Sequence, residues 1–385
     1  MKLEELFSLK NLNWAFYECT KQSRWKESTQ RYEMNMLSNN IQLQQNILGG
    51  TYRASPTIDF QIHERGKIRN IEAPAVRDRI FQKVLSKKLL VPAIRPYLIY
   101  DNYASLEKRG TTFARKRFEI MLHEFYERYG GKGFVVLTDV HDYFGSVDHE
   151  TLKEDLRKPV REPPCIMFYV DYSIDVAGKN GKGLNLGGEC PQIYAVYYLH
   201  DYDNYFKIVR HEPYYGRYMD DSACLVPTIS EARSIVEDAT EQLERKKLVV
   251  NEKKTQIVSI SHGFTYLQTK YSFNDGKLVT RPTRPKIVRE RRRLKKYVRL
   301  REQGIITDIE VFNWYKGWRQ ELLSSYNSCF HTIQRMDALF YELFPDIKKP
   351  HKITRSQLTS QIFKEADYED YRFYWEGLDG ETGLY

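Results

Sequence analysis

Three aspartates stand where this sequence could do chemistry. Asp139 follows the continuous apolar run Phe134-Val135-Val136-Leu137, and Asp220-Asp221 lie between two short strand-like segments, residues 214–218 and 223–226. An acid at the end of a buried strand, facing an acid pair at the tip of a neighbouring hairpin, offers hard oxygen ligands from rigid elements. Two divalent cations held about 4 Å apart by such ligands can activate an attacking hydroxyl and steady a leaving phosphate. That is most of what phosphoryl transfer asks of a protein. An isolated Asp-Asp pair is ordinarily an exposed turn, and an Asp after a strand is ordinarily a helix cap. Here both fall on successive strands of one inferred sheet, which favours a two-metal site for Mg2+, with Mn2+ as a substitute.

The elements that would hold these acids follow from periodicity. Residues 1–50 carry amphipathic helical stretches that stop at Gly49-Gly50. Residues 58–62 alternate, and Ile68-Arg69-Asn70-Ile71 follows a Glu64-Arg65-Gly66-Lys67 turn, which predicts a β-hairpin with basic residues beside its turn. Ile80, Val84, Leu85 and Leu89 then share a helical face. Asp148 is placed to cap a helix that begins near Glu150, and Ser230 one that carries Ala232, Ile235, Val236, Ala239 and Leu243. Leu248-Val249-Val250 reads as a returning strand, and residues 256–259 with 264–267 as a further hairpin. Strand, helix, hairpin, helix, strand is the order of a split βαβ sheet covered by helices on one side. Residues 284–344 are helical in pattern apart from a break near Gly304, which predicts a separate helical lobe.

Composition sets the outer bounds. A chain of 385 residues can form two or three lobes, since single cores rarely grow beyond about 250 residues. With 41% apolar and 29% charged residues it belongs among globular chains, and no apolar run approaches the ~20 residues that a bilayer requires. The first residues include acids and no continuous apolar stretch, unlike a secretory signal, so the expected location is cytoplasmic. The five cysteines have neither zinc-ligand spacing nor the look of a disulfide framework. A net charge of +9, with basic stretches at 108–117 and 281–301 interleaved with aromatics, fits a polyanionic partner, although a solvated basic face has the same composition.

Taken in order, the motifs resemble those of reverse transcriptases. Tyr218-Met219-Asp220-Asp221 is the YMDD box of that family. LTDVHDYFGSVDHETL, residues 137–152, resembles its first carboxylate motif, and GKGLNLGGECPQ, residues 181–192, its glycine-rich motif beneath the template and incoming nucleotide. LVVNEKKTQI, residues 248–257, is similar to the Lys-Thr motif, and GFTYLQ, residues 263–268, to the primer-grip hairpin. GKIRNIEAPAVRDRIFQ, residues 66–82, is similar to the fingers segment of bacterial and group II intron members. The likeness runs over residues 55–345. It implies an α+β right-hand polymerase, with fingers, a palm with a split βαβ antiparallel sheet, and an α-helical thumb. The implied division is an N-terminal helical segment (1–54), fingers and palm (55–280), thumb (281–345), and a tail (346–385) that is acidic and aromatic at its end.

Position by position, the resemblance gives both metals to Asp139 and Asp220, with Asp221 as a weaker third ligand. Lys67 and Arg69 would grip the triphosphate; the alternative is an ordinary solvated basic hairpin. Phe144 would block a ribose 2′-hydroxyl and so select deoxynucleotides, or else be a core aromatic, the part expected of Tyr143. Lys254 would protonate the pyrophosphate as a general acid, or be one surface lysine among Lys246, Lys247 and Lys253. Gly187 and Gly188 would allow close backbone approach to the nucleotide, with Gln192 closing the motif. Phe264, Tyr266 and Leu267 would form the primer grip. Most reverse transcriptases have Gln where this chain has Leu186, and Ser-Pro where it has Pro191-Gln192. In these departures it is similar to diversity-generating-retroelement enzymes and to stand-alone bacterial groups tied to phage defence.

The resemblance therefore implies an RNA-directed DNA polymerase that copies an RNA template, a structured non-coding RNA, into DNA from dNTPs, with no membrane role. A protein partner or homo-oligomer is compatible with it. Antiphage defence is favoured over mutagenic copying in a diversity-generating element. A catalytically inactive RNA-binding palm protein is opposed by the intact acids and fingers bases, and an RNA-dependent RNA polymerase by Phe144. The chain contains 29 tyrosines, several in the tail, and priming from a tyrosine hydroxyl ranks below ordinary packing.

Overall fold

The computed structural model describes residues 1–64 and 67–347, in two compact units, one of residues 1–258 and one that begins at Ser259. Arg65 and Gly66 of the expected turn, and the expected tail from residue 348 on, lie outside the described residues. In the first unit, strands β1 (Ile58–Glu64) and β2 (Lys67–Ala73) form an antiparallel ladder with Ile62 opposite Arg69 and Phe60 opposite Ile71. Their alternation is the expected one, yet Ile58, Phe60 and Ile62 on one face stay exposed. The Glu72 N–H ties β2 to the carbonyl of Leu186 at 2.9 Å.

Four strands make the central sheet: β3 (Phe134–Asp139), β4 (Tyr215–Tyr218), β5 (Asp221–Val226) and β6 (Gln256–Ser259), in the order β4-β5-β3-β6. The interior strands are continuous apolar runs because both their faces are covered. Val135, Val136, Ala223, Cys224, Leu225 and Val226 are all buried. Helix Ile229–Arg245 packs on β3 and β5 through Ala232, Ile235, Ala239 and Leu243 of the predicted stripe, with Val236 only partly buried. Its cap is Thr228 rather than Ser230: the Thr228 hydroxyl accepts from the Glu231 N–H at 3.2 Å while Glu231 returns a carboxylate to the Thr228 N–H at 3.1 Å. This reciprocal box outcompetes a hydroxyl already inside the first turn. Asp148 caps helix His149–Leu156 as expected, accepting from the Thr151 N–H at 3.0 Å.

Two strand expectations are corrected. Residues 248–250 make only the isolated bridge Val140 to Val250, because the chain turns through Lys247 in a left-handed conformation and turns again after Asn251. The segment Phe264–Tyr266 (β7) does not pair with β6. In the second unit it pairs with β8 (Thr269–Asn274) across a two-residue turn whose residues, Leu267 and Gln268, have φ of +44° and +61°. Strand β9 (Lys277–Pro282) completes this three-stranded sheet, so the expected lobe boundary at 280/281 falls inside β9 and inside the second unit.

Helices Arg284–Glu302, Asp308–Ser325 and Phe330–Leu343 follow, with a separate core that includes Leu294, Tyr315, Leu322, Met336 and Phe340. Asn327 joins sheet to helices: its side chain accepts from the Thr280 N–H at 2.8 Å and donates to the Leu278 carbonyl at 2.9 Å. Among the described residues no helix is long and apolar enough to cross a membrane.

Candidate active site

The tip of the β4–β5 hairpin is a two-residue turn. Tyr218 pairs with Asp221, leaving Met219 and Asp220 to reverse the chain. Met219 has φ +55°, a left-handed conformation that costs an L-residue about 1–2 kcal/mol but matches the twist of a tight hairpin. The turn places Asp220 at the tip and Asp221 at the first position of β5. Register then brings in the third acid, because Asp139, the last residue of β3, lies directly opposite Asp221. Carboxylate oxygens of Asp139, Asp220 and Asp221 come within 4.8 Å of one another.

Like charges opposed across a sheet repel one another, and this cluster is largely withdrawn from water. Burial, then the charges of Asp220 and Asp139, push the Asp221 carboxyl up to about 7. Asp220 is also raised, by burial first and by Asp139 among its neighbours. Such a cluster calls for a cation. Its donors are all hard oxygens, the set that suits a divalent ion of the Mg2+ or Mn2+ kind, so Asp139, Asp220 and Asp221 together could hold one or more.

Lys254 supplies positive charge at the site by an ion pair with Asp139. Burial opposes the charge on Lys254, but the hydrogen bond to Asp139 and the field of all three acids outweigh it and raise its pKa. Asn251 takes the other Asp139 oxygen, donating from Nδ2 at 2.7 Å, and its N–H donates to the Asp139 carbonyl at 2.8 Å. Sequence reasoning missed Asn251. The only available signal was an amide side chain three residues before the lysine. A second grouping, Asp155, His200 and Asp201, is balanced internally, since Lys246 Nζ lies 2.8 Å from both Asp155 and Asp201.

The other candidates fall at four places. Arg69, on β2, is close enough for its charge to oppose the upward shift of Asp220, and Lys67 opens the same strand. Phe144 lies in the short helix Tyr143–Ser146, partly buried, and its carbonyl accepts from the Leu184 N–H at 2.6 Å. Tyr143 is core, its hydroxyl donating to the Ala195 carbonyl. At Gly187, φ is +138° and a Cβ would come 2.5 Å from the Glu72 carbonyl oxygen; at Gly188 it would come 2.7 Å from Gln82 Oε1. The close approach that requires these glycines is therefore made by strand β2 and by Gln82. Gln82 Oε1 also accepts from the Glu189 N–H at 2.8 Å and so closes the start of helix Glu189–Tyr198. Gln192 is exposed in that helix. Phe264 and Tyr266 are buried in the second unit, with Phe264 stacked on Tyr271 at 5.4 Å, and Leu267 is a turn residue.

Residues 59–271, more than half of the chain, match the family described as reverse transcriptase (RNA-dependent DNA polymerase). The chain belongs to the reverse transcriptase family. Membership classes it with the nucleotidyltransferases and accounts for the α+β fold with antiparallel sheets. Protein YkfC of Escherichia coli (strain K12) is similar at 23% identity, over 58% of this chain and 69% of that protein. Among solved structures, telomerase from Candida albicans with a fragment of telomeric RNA is similar at 12% identity and TM-score 0.46, over 86% of this chain and 65% of that one. Apo telomerase from Candida tropicalis is similar at 13% identity and TM-score 0.45, over 82% and 60%. This reverse transcriptase thus spans less than two thirds of the length of those telomerases.

Proposed function

We propose that this reverse transcriptase extends a primer 3′-hydroxyl with deoxynucleotides along an RNA template. The observation that carries the reading is the meeting of Asp139, Asp220 and Asp221, with donor oxygens within 4.8 Å, beside Lys254 and within the field of Arg69. The three aspartates would hold two Mg2+ ions, for which Mn2+ could substitute. When bound, the ions supply the Lewis acidity that activates the primer hydroxyl and neutralises phosphate charge. The chain's own groups do the rest. Lys67 and Arg69 bind the triphosphate, and Phe144 excludes a 2′-hydroxyl. Lys254, held beside the acids by its ion pair with Asp139, delivers a proton to the departing pyrophosphate. Gly187, Gly188 and Gln192 form the surface beneath the nucleotide, while Phe264, Tyr266 and Leu267 steady the primer. The basic helix Arg284–Glu302 follows the duplex backbone.

Leu186 and Gln192, in place of the usual family residues, support a role in bacterial antiphage defence, copying a structured non-coding RNA. The same departures support mutagenic copying in a diversity-generating element as the second reading. Intact acids oppose an inactive RNA-binding role. The test supplies purified protein and Mg2+ with an RNA template, a DNA primer and either dNTPs or rNTPs, and sequences the nucleic acid that copurifies. DNA synthesis with a defined bound RNA is expected. Extension by rNTPs alone would remove the assignment, and products mutated at one base type would move the role to diversification.

A further inference from the structure

The turn that carries Asp220 leans on a buried cation that has no part in the proposed chemistry. Arg217, two residues before Met219, is 1% exposed, and Asp203 in helix His200–Asn204 is 0% exposed. Their contact is bidentate, Nε to Oδ1 and Nη2 to Oδ2, each at 2.7 Å. Asp203 is completed by the Tyr215 hydroxyl at 2.7 Å and the Asn102 amide at 3.2 Å. The guanidinium still has donors to give, and they go to two main-chain carbonyls. Nη1 donates to Met219 at 2.8 Å, and Nη2 to Val196 at 3.0 Å. Arg217's own backbone is held as firmly, its N–H donating to the Asp101 carbonyl at 3.0 Å and its carbonyl accepting from Tyr103 at 2.8 Å.

The Met219 carbonyl belongs to the same planar peptide unit as the Asp220 N–H, so fixing one fixes the other. Met219 is also the residue held in the left-handed region, where the surroundings must over-determine the conformation. Val196 lies in the helix that begins directly after Gly187-Gly188. One side chain thereby connects the turn that carries Asp220 to the helix of the glycine-rich motif. A buried ion pair is weak support for stability, and an apolar pair of equal volume would fill the same space. Only a planar fork with five donors reaches a carboxylate and two carbonyls at once.

We propose that Arg217, oriented by Asp203, is a positioning residue for the metal-binding acids. It fixes the Met219–Asp220 peptide so that Asp220 and Asp221 present their carboxylates to Asp139. This rests on the reading of those three aspartates as metal ligands.

Two variants separate positioning from folding. Arg217→Lys keeps a charge for Asp203 without the fork, and the double variant Arg217→Met with Asp203→Leu removes both charges at similar volume. Each is compared with wild type by circular dichroism melting, by Mn2+ binding in an EPR titration, and by steady-state dNTP incorporation at varied Mg2+. The expected result is a folded protein with a several-fold weaker Mn2+ site and a raised Mg2+ requirement. With it, kcat is at least tenfold lower and KM for dNTP unchanged. A folded variant with wild-type Mn2+ binding and kcat overturns the proposal. So does failure of both variants to fold, which would assign the pair to stability alone. A wild-type protein that neither binds Mn2+ nor incorporates dNTP counts instead against the metal reading beneath it.

Discussion

At the scale of single residues, Asp139 is held at both carboxylate oxygens, one on Asn251 and the other on Lys254. Groups that orient a metal ligand typically change metal affinity or activity 10- to 100-fold when removed, and Asn251→Ala should therefore lower kcat by about that much while raising the Mg2+ requirement. A Mg2+ titration of primer extension measures both, and unchanged values would mean that Lys254 alone orients the acid. Phe144→Ala should lower discrimination against ribonucleotides by about tenfold or more, read as the ratio of kcat/KM for dCTP and CTP. If the ratio does not move, Phe144 is simply a packed aromatic. The three aspartates were legible from sequence because strand ends and a hairpin tip announce themselves locally. Asn251 was not, since it meets Asp139 across a separation of 112 residues. Arg217 was hidden by its type, because a strand arginine is expected at the surface rather than beneath a turn.

At the scale of elements, the glycine-rich segment and strand β2 are one assembly. A Cβ at position 187 would meet the Glu72 carbonyl at 2.5 Å, in a backbone conformation that side chains rarely adopt. Gly187→Ala should cost about 2–3 kcal/mol or push β2 away, lowering the melting temperature and weakening dNTP binding together. A variant with wild-type melting and KM would show that the segment tolerates the shift. The β1–β2 hairpin, the Asp148 cap and the stripe of helix Ile229–Arg245 were readable because each depends on neighbours in sequence. The partner of Phe264–Tyr266 was not readable. Alternation specifies a strand without naming what it pairs with, and Leu267 gives no turn signal even though it occupies a left-handed position.

At the scale of the whole molecule, charge is the property that sequence stated most directly and position the one it stated least. The net charge of +9 includes a dense run on helix Arg284–Glu302, where Arg292, Lys295, Lys296 and Arg299 are exposed while Leu294 faces the core. Replacing those four by alanine should weaken template–primer binding at every sequence. It should also reduce the slope of log affinity against log salt by about 3 to 4 if each meets a phosphate. An unchanged slope would place the duplex elsewhere. The division of the chain into lobes followed local pattern only roughly, because compactness joins the strands of residues 264–282 to the helices through Asn327, a contact invisible in periodicity. The central claim is that three aspartates from β3 and the β4–β5 turn make this protein a polymerase. It is tested most directly by primer extension with dNTPs and Mg2+ on an RNA template, comparing wild type with Asp220→Ala of equal melting temperature. The account predicts extension by the first and none by the second, and extension by both would contradict it.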